Sequence, residues 1–127
     1  DTGILYDSEN DNSLLIHLRS DAYQFLFMGD ASCKVEEDLI QKVNLKIDVL
    51  KLGHHGSKTS TGEVLLKSIE PKLAIISSGR NNRFKHPHQE TLDILKKASV
   101  PYLNTQEMGS IEFIIKGTHL KKRFCIP

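Results

Sequence analysis

The sequence predicts an α/β fold in which helices pack against a mixed sheet. Short apolar runs alternate with segments of helical period, and a pair of strand-like runs sits at each end of the chain. The contiguous Leu73, Ala74, Ile75 and Ile76 are what a strand covered on both faces requires. The expected order is a hairpin, then β-loop-α units, then a second hairpin.

SLLIHLR (13–19) and YQFLFM (23–28), separated by SDA, predict an antiparallel hairpin. GDAS breaks the pattern. From Ser32, Val35, Leu39, Ile40 and Val43 recur at helical spacing, with Lys34, Glu36, Glu37, Asp38 and Lys42 on the opposite, solvated face. IDVLKL (47–52) reads as a buried strand and GHHGSK as the loop after it. Ser60 and Glu63 form a capping box for a helix carrying Val64, Leu65, Leu66 and Ile69, which Pro71 ends. KLAIISS (72–78) is the next strand, and GRNNRFKHPH a polar loop. QETLDILKKA is helical, with Leu92, Leu95 and Ala98 facing inward. VPYLNT begins a short strand, and SIEFIIK and THLKKRFCI close the fold as a pair around Lys116-Gly117.

At 127 residues the chain has the length of one domain, and a folded chain of this size buries roughly two-thirds of its extended surface. With 39% hydrophobic and 26% charged residues, the composition excludes a disordered or fibrous chain. No apolar run approaches the ~20 residues that a membrane-spanning helix needs. The opening DTGILYDSENDNS has neither a basic start nor an apolar core, so it reads as an internal stretch of a longer protein and not as a signal peptide. Cys33 and Cys125 lack CxxC spacing and are expected to be free thiols.

A net charge of +1 does not by its total mark a nucleic-acid binder. The distribution is more informative. Arg80, Arg83, Lys85, His86 and His88 fall within nine residues, whereas Lys121, Lys122 and Arg123 read as a solvated basic edge.

Three polar loops, GDAS, GHHGSK and GRNNRFKHPH, each follow an apolar strand. In open α/β sheets ligands collect beyond the carboxyl ends of strands, so these loops are expected to share one edge. Asp30 follows its strand through Gly29, which allows a close turn; the carboxylate is a turn residue, a helix cap or a ligand. A neutral imidazole serves both as metal ligand and as proton carrier. His54 and His55 can therefore be ligands, acid and base, or polar residues of a turn. His86 and His88 flank Pro87, which biases His86 toward an extended backbone and can place both imidazoles on one side; the alternative is a helix entrance with His88 in solvent. Ser57, Lys58, Thr59 and Ser60 add hydroxyls and a cation, and Arg80 can grip phosphate bidentately. Such a set suits metal-assisted hydrolysis of a phosphate ester. His17 and His119 lie in strand-like runs and are read as structural.

Together, FLFMGDAS, VLKLGHHGSKTST and IISSGRNNRFKHPHQETLDIL resemble the C-terminal half of the metallo-β-lactamase-like domain of ComEC-type competence proteins, the DNA-uptake channels of bacteria. The resemblance runs from ENDNSLLIHL to MGSIEFII, and three separated motifs occur in the family's order. It implies an αββα sandwich with about three helices, residues 1–127 forming a single partial domain. Asp30 then corresponds to a metal-bridging aspartate and His54 to a metal ligand. His55 and His86 are the implied catalytic residues, and Ser57, Lys58, Arg80, Asn81 and His88 the substrate-binding ones. A divalent metal, Mn or Zn, would serve the intact domain, with DNA, single-stranded or duplex, as substrate. The resemblance also implies attachment to the rest of a bacterial inner-membrane protein, on its outer face.

One departure stands out. The HxHxDH-type ligand cluster of that fold is absent, and the sole HxH, His86-Pro87-His88, opens a helix. A metal site normally takes three or more protein ligands. The expectation is weak or no metal binding and little activity for this chain alone, and self-association through an uncovered apolar sheet face. The competing readings are another hydrolase of the same superfamily, such as a phosphocholine esterase or a lactonase-like protein, and a non-catalytic DNA-binding or assembly module whose basic loop contacts phosphate.

Overall fold

The structure, a computed structural model, describes residues 5–125. Residues 1–4 of the opening stretch and Ile126 of the expected closing strand lie outside the described residues. The strands are β1 (Ile16–Arg19), β2 (Gln24–Phe27), β3 (Val49–Lys51), β4 (Leu73–Ile76), β5 (Tyr102–Asn104), β6 (Ser110–Lys116) and β7 (His119–Cys125). The helices are α1 (Cys33–Lys42), α2 (Glu63–Ile69), α3 (Gln89–Lys97) and the single turn α4 (Thr105–Met108).

Strands β1 to β5 form one mixed sheet in sequence order: β1 pairs antiparallel with β2, and β2 through β5 run parallel. Three successive parallel crossovers of the same hand put α1, α2 and α3 on one face. Side-chain alternation then divides the core. Leu26, Leu50, Ala74 and Ile76 point to the helices and pack with Leu65, Leu66, Ile69 and Leu95. Phe25, Val49 and Ile75 point the other way, against Ile111, Phe113, Ile115 and Leu120 of the β6–β7 hairpin. Phe25 and Phe113 meet edge to face at 5.7 Å between ring centroids. This is the α/β plan the periodicity predicts, with the contiguous LAII run covered on both sides. Among the described residues no helix is long and apolar enough to cross a membrane.

The polar residues of the helices depart from the pattern in ways that matter near the site. Glu36, expected on the solvated face of α1, is buried at 1% exposure. Its carboxylate accepts hydrogen bonds from the Thr61 and Gly62 backbone N–H groups, so α1 caps the entrance of α2. Ser60 is not the cap: its hydroxyl donates to the Gly53 and Ser57 carbonyls, and Gly62 precedes the helix. Val64, grouped with the apolar residues of α2, is exposed, as is Ala98 just beyond α3; Thr91 takes the inward position beside Leu95. The fourth helix, α4, was not expected; Asn104 caps it by accepting from the Gln106 N–H at 3.0 Å. Cys33 and Cys125 are free thiols, and burial pushes Cys33 up to about 11, which leaves it unreactive.

The β6–β7 hairpin leaves part of the second face open. Ile16, Leu18 and Phe27, on that face at the β1 edge, are 48%, 54% and 38% exposed. Sedimentation velocity is expected to show concentration-dependent association that Leu18→Lys shifts toward monomer; an unchanged distribution would remove this face from the account.

Candidate functional site

The carboxyl ends of β2, β3 and β4 lie on the same edge of the sheet because the three strands are parallel and adjacent. Each is followed by one of the polar loops. Gly29, after β2, adopts φ +55°, and a Cβ there would meet the Ser13 Cβ at 2.8 Å. Glycine is therefore required sterically as well as conformationally. The Ser13 hydroxyl accepts the Asp30 N–H at 3.0 Å, and the Gly29 carbonyl accepts the His54 N–H at 2.9 Å, joining the first loop to the second.

The GHHG stretch is a tight turn. His54 (φ 45°, ψ 45°) and His55 (φ 56°, ψ 22°) are both left-handed, a conformation that costs a non-glycine residue about 1–2 kcal/mol. Two consecutive residues so held indicate that the surroundings enforce the turn, as is common where side chains must be aimed. The enforcing contacts are visible. The His54 carbonyl accepts the Ser57 N–H at 2.9 Å, the Gly56 carbonyl accepts the His88 N–H at 3.0 Å, and Gly56 itself packs against Pro87.

The result is a cluster of a carboxylate and imidazoles drawn from three loops. His55 Nε2 lies 3.8 Å from Asp30 Oδ1, while its Nδ1 is 2.8 Å from the Ser77 carbonyl. An Nδ1–H donating to that carbonyl fixes the tautomer and leaves Nε2 with a free lone pair facing Asp30. His54 and His86 have ring centroids 5.4 Å apart, and His55 and His86 stack at 6.2 Å. His86 is buried at 8% exposure; burial first, then the neighbouring His88, His54 and His55, holds its pKa below the usual imidazole range, against a smaller opposing pull from Asp30. Lys51, at the end of β3, donates to the Leu52 carbonyl at 2.8 Å. Burial lowers its pKa while the Asp30 carboxylate favours the charged form, so a half-buried cation adjoins the cluster. Sequence reasoning missed it; the signal was a single lysine inside the apolar run IDVLKL.

The third loop is held by residues that periodicity does not identify. Asn82 is its clamp: its amide nitrogen donates to the Gly79 and His86 carbonyls at 2.9 and 2.7 Å, and its oxygen accepts the His86 N–H at 2.9 Å. Gln106 of α4 also donates to the His86 carbonyl, at 2.7 Å. Asn81, singled out from the sequence, is exposed at φ 52°, its neighbour having the structural work. Arg80 is exposed, with Nε donating to the Gln106 carbonyl at 2.7 Å. Lys58 is exposed and 3.7 Å from Glu90.

Two of the sequence-predicted binding residues are otherwise engaged. Ser57 is buried, its hydroxyl paired with Thr59 at 3.1 Å. His88 precedes α3 and uses both ring nitrogens: Nδ1 accepts the Lys58 N–H at 3.0 Å and Nε2 lies 3.1 Å from the Phe84 carbonyl. It ties the second loop to the third.

His55, Ser77, Ser78, Gly79, Asn82, Phe84, His86 and Thr105 line a cleft of about 440 Å³ at this edge. Its donor chemistry matches a divalent metal only in part. Asp30 and a His55 whose second nitrogen is held by a carbonyl are of the right kind. The number falls short, since among the described residues no group of three or more His, Cys, Asp or Glu side chains is arranged to hold a metal ion. These residues by themselves do not fit a complete metal centre.

The fold and this edge together define an α/β sandwich with a strand-end cluster of histidines and a carboxylate. No family model matches the chain. It is 41% identical over 111 residues to ComE operon protein 3 of Bacillus subtilis (strain 168), covering 87% of this chain and 14% of that protein. It is 40% identical over 104 residues to Recombination protein 2 of Haemophilus influenzae, covering 82% and 13%, and 35% identical over 107 residues to Competence protein ComA of Neisseria gonorrhoeae, covering 83% and 16%. The chain is thus a homologue of one segment of a competence-protein family, spanning about a seventh of the length of the relatives it matches.

Proposed function

We propose that this chain is part of a metal-dependent phosphodiesterase domain that degrades DNA during bacterial DNA uptake, built on a metallo-β-lactamase-like αββα sandwich. The observation that carries the reading is the convergence of Asp30, His54, His55 and His86 from three loops onto one sheet edge. The similarity to a protein named Competence protein ComA supports a setting in bacterial DNA uptake, and in this reading the domain is attached to an inner-membrane protein on its outer face.

In this reading Asp30 and a histidine of the pair contribute donors to a divalent metal, Mn or Zn, whose remaining ligands come from other parts of the protein. The free Nε2 beside Asp30 favours His55 for that position, and His54, the ligand expected from the sequence, becomes its neighbour. The metal would polarise the phosphoryl oxygens and lower the pKa of bound water. His86 is positioned by its backbone clamp at the cleft wall, where an imidazole can accept a proton from the attacking water. Arg80, Lys58 and Lys51 offset charge on the phosphate.

A metal-free DNA-binding module is the second reading, favoured by the shortage of metal donors. Amide NMR titration of the chain with single-stranded DNA separates the two. The phosphodiesterase reading expects shifts in residues 29–30, 53–58 and 79–88, with binding tightened by Mn²⁺ and weakened by chelation, the phosphate supplying further donors. Binding at the same loops that chelation leaves intact supports the module, and shifts confined to other surfaces contradict both.

A further inference from the structure

Phe84 is an aromatic ring 59% exposed in the middle of the third loop. An apolar ring in that position gains nothing for folding by facing water, yet its placement is controlled. Its carbonyl is held by the His88 ring, and two residues before it Asn82 clamps the loop to Gly79 and His86. The ring lies on the wall of the cleft it shares with His55 and His86. It is nearly parallel to the His86 imidazole, at 21° and 5.7 Å between centroids. The exposed guanidinium of Arg83 lies 4.6 Å from its centroid. A flat ring, a second ring nearly parallel to it and an exposed cation beside the same cleft are the parts used to hold an unpaired nucleotide: the base stacks and the cation takes the phosphate.

We propose that Phe84 is a stacking platform for an unpaired nucleobase next to the phosphate handled by the histidine cluster, so that the site selects single-stranded over duplex DNA. Resting on the phosphodiesterase reading of the same site, the inference adds a specificity-determining residue. In duplex DNA each base face is already covered by its neighbours, and only an unstacked base can use the ring. Arg83 swings off the face when the base arrives and remains beside the phosphate as a counter-charge.

Fluorescence anisotropy tests this with three probes of about 12 nucleotides: a single strand, the same backbone carrying abasic sites, and a blunt duplex. Wild-type protein is expected to bind the single strand more tightly than either other probe. Phe84→Ala is expected to weaken single-strand binding about tenfold while leaving the abasic probe unchanged, and Phe84→Trp to retain the preference. Equal effects on intact and abasic strands, or no effect of Phe84→Ala, would overturn the platform while leaving the phosphodiesterase reading standing. Failure of wild-type protein to bind any of the three probes would overturn that reading and the platform with it. Amide spectra of both variants establish that the fold is kept.

Discussion

Glu36→Ala is expected to destabilise the chain by about 2–3 kcal/mol at pH 7, measured by urea denaturation. The residue sits on a surface-like position of α1, but its carboxylate is buried and receives the Thr61 and Gly62 N–H groups. Removing it strands two donors at the entrance of α2 and leaves a void beside Cys33. The damage reaches the site, because the segment it anchors, Ser57 to Gly62, continues directly from the histidine turn, and the Thr59 carbonyl accepts the Cys33 N–H at 2.9 Å. The same group gives stability a pH dependence. Burial, with a smaller contribution from Glu37, raises its pKa above 4.5, outweighing the hydrogen bonds from Gly62, Thr61 and Cys33 that pull it down. The folded state therefore binds the proton more tightly than the unfolded chain. Its contribution is fully present below the ordinary glutamate value and is lost as pH rises through the raised folded pKa, so stability from this group increases as pH falls through that window. Glu36→Gln is expected to flatten that part of the profile.

Gly56→Ala is expected to cost about 2–5 kcal/mol and to separate the second and third loops. Its φ of +82° disfavours any side chain, and a Cβ would meet the Pro87 Cβ at 2.8 Å and Ile76 Cγ2 at 3.3 Å. Strain of about 1–2 kcal/mol adds to an overpacking cost of about 1–3 kcal/mol. Relief requires Pro87 to move away, which breaks the Gly56–His88 backbone hydrogen bond and carries His86 away from His54. Single-strand binding and thermal stability are expected to fall together. A variant that keeps wild-type binding would show that the contact between the two loops is unnecessary for the site.

The difference between these two positions explains what was readable in the sequence. The strands and α1 to α3 follow from period and from the residues that end helices, both local properties, and the parallel order of β2, β3 and β4 is what brings their following loops to one edge. Glu36 was misassigned because helical period reports only which face a residue occupies, and that flank of α1 faces the loop before α2 instead of water. Ser60 and Glu63 carried the spacing of a capping box, but the helix begins at Glu63 itself behind Gly62, so Ser60 lies too early to cap it and its hydroxyl donates to the Gly53 and Ser57 carbonyls instead. The left-handed pair at His54 and His55 has no local signature: a turn was one of the readings open from the sequence, but its geometry is set by contacts with Gly29, Ser57 and His88 in neighbouring segments. Within Asn81-Asn82 composition could not tell the exposed residue from the clamp; only the approach of His86 from later in the chain decides it.

The central claim is that Asp30 and the paired histidines form one metal-directed, phosphate-facing edge. Paramagnetic broadening by Mn²⁺ in amide spectra of this chain tests it directly, because it registers even weak binding. The expected result is early loss of the Asp30, His54 and His55 signals, reversed by chelation and diminished in Asp30→Asn, with affinity well short of a complete centre. Uniform broadening, broadening centred on another surface, or tight stoichiometric binding unaffected by Asp30→Asn would contradict the account.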